Sequence, residues 1–203
     1  GGELGRVPAN KRGAILGDLL GTDCVTAGGS TALIRREVFA SCGAFDTAQV
    51  LRRGEGTDWE MWIRIARRYA FDFSTELLAK YYLRSGPSAG PNDVAWSEKA
   101  KAHDYILDKH HDLVGQFPRS ASDAFYRTGR LYVYGGMSTV GRRRFMNAIQ
   151  LYPLNAKAWM SLAASLFGPR FYRWAYERAL PIWGNPDYRA VTKASLRSER
   201  RAK

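Results

Sequence analysis

Four positions in the second half of this chain recur after a fixed interval. Adding 34 residues to Phe125, Thr128, Gly129 and Tyr132 lands on Trp159, Leu162, Ala163 and Leu166, a large, large, small, large order with one departure at Thr128. Spacings of three and four residues place each quartet on one helix face, and the small residue lets a second helix approach closely. Gly141, Phe145, Ala148 and Pro153 follow at offsets that suit a second, antiparallel helix closed by proline. A period of this size marks a supersecondary unit that cannot bury its apolar face alone, and about three units are usually needed for independent stability. Roughly one and a half are present, over residues 122 to 168 or so, so the unit must lean on its neighbours.

The segment before it also reads as helix. Trp96, Ala100, His103, Leu107, His110 and Val114 form one stripe, predicting an amphipathic helix over residues 94–115 that ends before Pro118. Residues 94–203 are therefore expected to be all-helical. Residues 1–93 differ in character. A glycine-rich start holds at most a helical turn near Ile15 to Leu20, and residues 24–34 read as a strand interrupted at Gly28-Gly29. A short helix over Arg35 to Ser41, a turn at Gly43 to Asp46, a helix from Thr57 to about Tyr69, and strands at Phe71 to Phe73 and Leu77 to Leu83 complete an α/β pattern. The expected whole is a small α/β part followed by a larger helical part, with helix dominating overall.

Charge narrows the partners. The 203 residues carry a formal net charge of +12, which calls for an acidic partner. Half of that surplus lies beyond residue 169, where nine Lys/Arg face three acids and Phe171, Tyr172, Trp174, Tyr176 and Trp183 interleave. Cations mixed with Trp and Tyr fit a helix lying on anionic lipid headgroups; a solvated basic tail packed by its aromatics is the equal alternative. No known nucleic-acid motif accompanies the charge, so nucleic acid is not the expected partner. No apolar run of membrane-spanning length occurs, and Gly1 stands where a methionine would begin a complete chain, which suggests a piece of a longer protein. Two cysteines without metal spacing suit a cytoplasmic setting, at most peripheral to the inner face of the membrane. Oligomeric state is not set by the sequence.

Chemistry points to Thr57-Asp58-Trp59-Glu60-Met61-Trp62. Thr57 and Glu60 match a capping box, in which each side chain satisfies a backbone amide of the other. Asp58 is left over: a first-turn carboxylate that either complements the helix dipole or serves as a general base. His103, His110 and His111 share no metal spacing with Cys24 or Cys42 and read as core or surface residues, and the cysteines as inert. No phosphate loop, Ser-His-Asp signature or Asp-x-Asp is present.

Five ordered blocks carry a resemblance. They are Gly28-Gly29-Ser30 with its expected strand, Arg35 to Phe39, Cys42-Gly43-Ala44-Phe45-Asp46, Thr57 to Arg64, and Leu77 to Tyr82. In this order they resemble the C-terminal half of family 2 glycosyltransferases, enzymes of the GT-A fold that take a nucleotide sugar as donor. The resemblance covers residues 22 to about 90. It implies that Asp58 deprotonates an acceptor hydroxyl, that Gly28, Gly29 and Ser30 let substrate approach closely, and that Trp59, Glu60, Trp62 and Arg84 shape or contact the substrate site. It also implies inverting transfer to a glycan or lipid-linked acceptor, in the synthesis of surface polysaccharide or glycolipid. A divalent Mg or Mn ion is implied for the intact enzyme, and none for this stretch, which lacks the Asp-x-Asp half. Thr57 replaces a frequent second acid, and Tyr81-Tyr82-Leu83-Arg84 replaces a Tyr-Arg-x-His sequence. The helical part resembles tetratricopeptide packing. From another class, the chain reads as a non-catalytic helical-repeat interaction module in which the α/β part is only a support.

Overall fold

The computed structural model describes residues 11–25, 28–54, 56–76, 78 and 95–183. Within them the chain forms ten helices: α1 Leu16–Gly21, α2 Arg36–Cys42, α3 Gln49–Gly54, α4 Thr57–Ala66, α5 Trp96–Lys109, α6 His111–Gln116, α7 Pro118–Tyr134, α8 Ser138–Leu151, α9 Ala156–Leu166 and α10 Pro169–Trp183. The helix-dominated character expected from the sequence is observed.

The strands are not. Among the described residues the only β pairing is an antiparallel bridge between Gly13 and Phe71, which exchange backbone hydrogen bonds of 2.7 and 3.0 Å. Residues 24–34, expected as a strand, instead hold a 3-10 turn at Gly28–Thr31. β-branched residues favour a strand only where a neighbouring strand accepts their backbone groups and covers one face. Here the Gly29 N–H is taken by a side chain, so the segment turns. The expected strand at Leu77 to Leu83, apart from Leu78, and the substrate residue Arg84 lie outside the described residues.

Two apolar clusters share α7. In the first, Leu19 and Leu20 of α1, Leu51 of α3, and Trp59, Met61, Trp62, Ile63 and Ile65 of α4 pack with Ala102, Ile106 and Leu107 of α5 and Ala121 and Ala124 of α7. This core runs across the boundary expected near residue 94: α5 and the first turns of α7 complete the body that α1 to α4 begin. Gly56 sits at the tightest point, where a Cβ would lie 3.1 Å from both Ile106 and Leu51.

The second cluster joins Tyr126, Val133, Phe145, Ala148, Ala158 and Tyr172 across α7 to α10. Its close approach is at Gly129 and Gly141, where an added Cβ would meet Phe145 Cε1 at 2.6 Å and the Gly129 carbonyl oxygen at 2.7 Å respectively. Thr128, Gly129, Tyr132, Gly141, Phe145 and Ala148 are all buried, as the repeat spacing requires. The second quartet departs from this pattern. Leu162 is half-buried, but Trp159, Ala163 and Leu166 face outward, and Ala158, Ser161 and Ser165 form the inward face of α9.

The helix expected over residues 94–115 is broken at His110, which has φ −110° and ψ 31°. The break turns the His110 ring into the protein, where only 3% of the residue is exposed. His103 keeps its place on the inner face and packs edge-on to Trp59 at 4.6 Å. Its burial, reinforced by the charges of Arg127, Arg130 and Lys99, pushes its pKa down to about 3. It is a half-buried histidine packed on Trp59.

Candidate functional site

The site is built around the start of α4. Gly56 is its N-cap, and the Glu60 N–H donates to the Gly56 carbonyl oxygen at 3.0 Å to close the first turn. Thr57 is thus the first helical residue, and no side chain caps this end. The capping box expected of Thr57 and Glu60 does not form. A Cβ at residue 56 would crowd the ends of Leu51 and Ile106 at 3.1 Å; the helix starts one residue earlier than expected, and Glu60 is drawn inward by cations.

Asp58, in the first turn of α4, is half-buried. Its Oδ2 accepts a 2.8 Å hydrogen bond from the Gly29 N–H. This contact brings together two of the sequence-predicted site blocks, and it depends on the 3-10 turn that presents the Gly29 amide. A Cβ at Gly29 would lie 3.4 to 3.6 Å from the carboxylate atoms, so the absent side chain leaves that face of Asp58 uncovered by residue 29. Gly28 and Ser30 flank the amide in the same turn.

Asp23 is a participant that sequence reading missed. Its Oδ1 accepts from the Val25 N–H at 3.0 Å. Its side chain is exposed; nearby protein atoms and, to a lesser extent, the charge of Asp58 act to raise its pKa. The Cys24 thiol, raised to about 11 mainly by burial, stays protonated and inert.

Trp59, Glu60 and Trp62 were expected to line or shape a substrate pocket, with the two indoles offering flat faces to sugar rings. All three instead point into the core, with 3%, 0% and 1% exposure. Trp59 Nε1 donates to the Leu19 carbonyl oxygen at 2.6 Å, and Trp62 packs edge-on to Phe71 at 6.3 Å. The reason is periodicity: with α1 on one side and α5 on the other, positions 59, 62, 63 and 65 face the interior. Their covered faces can support the Asp58 turn from beneath but cannot stack on a sugar.

Glu60 is the centre of a buried ion cluster. Arg64 Nε donates to both carboxylate oxygens at 2.9 and 3.0 Å, and Lys109 Nζ lies 2.9 Å from Oε1. Arg67 Nη2 lies 3.2 Å from His110 Nδ1. Guanidinium can only donate, so Nδ1 accepts and the ring proton sits on Nε2, 3.4 Å from Glu60 Oε1. Burial acts to raise the Glu60 pKa, but the groups of His110, Arg64 and Lys109 together outweigh it and hold the carboxyl at about 2. Lys109 also reaches Asp46 at 2.5 Å and, with the Ala48 N–H, holds that carboxyl at about 2 as well.

The same cations fasten another predicted block. Arg64 donates to the carbonyl oxygens of Cys42 and Ala44, the latter at 2.8 Å, and Lys109 ties down Asp46. The Gly28 to Ser30, Cys42 to Asp46 and Thr57 to Arg64 blocks are therefore linked directly or through Lys109. The Glu60 and Arg64 pair was legible as an i, i+4 spacing, whereas nothing local announces Lys109 or His110, some 50 residues away.

Among the described residues no three His, Cys, Asp or Glu side chains gather closely enough to hold a metal ion. The divalent ion implied by the resemblance belongs to the half that carries Asp-x-Asp, a sequence this stretch lacks. In comparisons with protein-family models, curated proteins and solved structures, the chain matches none.

Proposed function

We propose that this chain is the acceptor-side half of an inverting GT-A glycosyltransferase, joined to a tetratricopeptide-like helical region, with Asp58 as general base. The observation that carries this reading is the hydrogen bond from the Gly29 amide to the Asp58 carboxylate. It joins two blocks of the resemblance that lie about thirty residues apart and leaves a carboxylate at a helix N-terminus with a glycine beside it.

The base removes the proton of an acceptor hydroxyl. The freed oxygen forms a bond to the anomeric carbon of the nucleotide sugar, and the bond from that carbon to the diphosphate breaks with its electron pair leaving on the nucleotide. The configuration inverts. The backbone N–H of Gly29 holds the Asp58 carboxylate in place by its hydrogen bond to Oδ2. Trp59, Glu60 and Trp62 hold the turn in place from below. Partners on this reading are a nucleotide sugar and a glycan or lipid-linked acceptor. The chain by itself is expected to be inactive, because donor binding belongs to the nucleotide-binding half.

The test is sugar transfer by an enzyme that includes that half. Asp58→Asn lowers turnover by about 10²- to 10⁴-fold, the usual worth of a positioned base, while leaving the fold unchanged by circular dichroism. Near wild-type turnover in the folded variant defeats the assignment. The non-catalytic alternative draws on a separate observation, the complete burial of Trp59 and Trp62, which gives this motif a packing role; it requires that Asp58→Asn change nothing.

A further inference from the structure

Trp159, Ala163 and Leu166 of the second quartet, which face outward, lie on an apolar surface that continues into the next helix. Trp159 and Leu166, and likewise Met160 and Phe167, are seven residues apart and so lie two turns apart on the same side of α9. These four are 50 to 73% exposed. Gly168, at φ +90°, turns the chain into α10. There the surface continues, because the Phe167 ring lies 5.1 Å from that of Phe171 and Phe171 lies 5.4 Å from Trp174. Tyr172 and Tyr176 of the same helix do not belong to it; they stack on one another toward the second core.

Cations border this surface. Lys157 and Arg170 are exposed beside it, and the Arg178 guanidinium sits 4.8 Å from the centre of the Trp174 ring. From α8, Arg142 reaches the Ser165 carbonyl oxygen at the C-terminal end of α9, next to Leu166. The sequence supplies no matching negative charge. Between Ala124 and Pro186 nine Lys and Arg stand against a single acid, Glu177. A second copy of the chain would bring like charge against like, and the basic residues after Pro186 would do the same. An exposed apolar patch of this kind marks a docking surface, and its charge selects an anionic one.

We propose that the α9–α10 face docks on an anionic lipid surface. Trp159, Leu166, Phe167 and Trp174 enter the interfacial layer, and Lys157, Arg170 and Arg178 meet the headgroups. The chain lies on the bilayer by this face; among the described residues no helix is long and apolar enough to cross one. This places the contact on the folded repeat itself, where the sequence pointed to the basic terminus. It is independent of the chemistry assigned to Asp58.

The experiment uses the full chain with vesicles of phosphatidylcholine alone and with roughly 30 mol% phosphatidylserine added. The wild type cosediments with the anionic vesicles at least tenfold more strongly than with the neutral ones, and its tryptophan emission shifts to the blue on binding. The double variant Leu166→Gln, Phe167→Gln, at exposed positions that the fold does not need, loses at least tenfold in partitioning while keeping its helical circular dichroism. Lys157→Glu with Arg170→Glu removes the preference for the anionic vesicles. Undiminished binding by the Gln variant, equal binding to both vesicles, or self-association of the free chain that the Gln variant abolishes would each overturn the proposal. So would binding to a single-stranded oligonucleotide that depends on Leu166 and Phe167 as strongly as the vesicle binding does.

Discussion

Replacing Glu60 by Gln tests how the protein holds its central ion cluster. Glu60 has no exposed surface and faces Arg64, Lys109 and His110. Gln keeps the shape, retains one acceptor and turns an amide N–H₂ toward groups that are themselves donors. Removing one partner of a buried pair typically costs about 3 to 5 kcal/mol. Arg64 and Lys109 retain 19 and 33% side-chain exposure and can recover some hydration, which puts the loss at the low end. The lowered pKa, which arises from the same contacts, gives a value of the same order. A carboxyl held at about 2 against an ordinary 4.5 is worth about 3 kcal/mol at about 1.4 kcal/mol per pH unit. Both routes give about 3 kcal/mol, or roughly 6 to 12 °C in Tm for a chain of this size.

The pH dependence follows from the sign. Because the folded pKa lies below the unfolded one, the native state binds fewer protons between them. The Glu60 contribution is therefore complete above about pH 4.5 and vanishes as pH falls through about 2. Asp46 erodes in the same window, and because Lys109 joins it to Glu60 the difference between wild type and Glu60→Gln reports Glu60 together with its coupling to Asp46. Urea unfolding at a series of pH values from 7 to 3 measures it. A variant as stable as wild type at pH 7, or a deficit that does not shrink below pH 4.5, refutes the assignment.

Gly129→Ala tests the α7–α8 crossing. The new methyl gains up to about 1 kcal/mol in helix propensity but would lie 2.6 Å from Phe145 and 2.9 Å from the Gly141 carbonyl oxygen. Thermal unfolding is expected to show a net loss of about 1 to 2 kcal/mol from overpacking; an unchanged or raised Tm contradicts the close approach. Asn155→Ala removes the N-cap of α9, whose Oδ1 accepts from the Ala158 N–H at 3.2 Å, together with a 2.9 Å bond to the buried Ser122 hydroxyl. A loss of about 1 to 2 kcal/mol in denaturant unfolding is the expected result, and a loss below about 0.3 kcal/mol would show that the cap contributes nothing.

The helices were legible where their cause is local. The Gly129 and Gly141 pair and the Phe145 and Ala148 stripe follow from spacing, which is a property of the chain alone. The candidate site was legible as a set of blocks, and Asp58 as the acid that capping left unexplained. The strand at residues 24–34 was misread because β-branched residues announce a strand only when a partner strand is supplied, and among the described residues none pairs with them. The capping box was misread for a related reason. Thr57 and Glu60 fit it locally, but Lys109, His110 and the narrow gap at Gly56 claim them from elsewhere.

The sequence by itself therefore determined the helical character, the register of the first repeat hairpin, the two-glycine crossing and the basic, aromatic nature of the C-terminal half. Each is set by spacing or composition within a few turns of chain. Only the tertiary structure decided which faces are covered. It buried Trp59 and Trp62, turned Gly29 toward Asp58, broke the helix at His110 to complete the Glu60 cluster, and left Trp159 and Leu166 outside. Those outcomes depend on what packs against each face, and the neighbours come from residues tens of positions away. A helical stripe specifies a direction, and the fold decides what it faces.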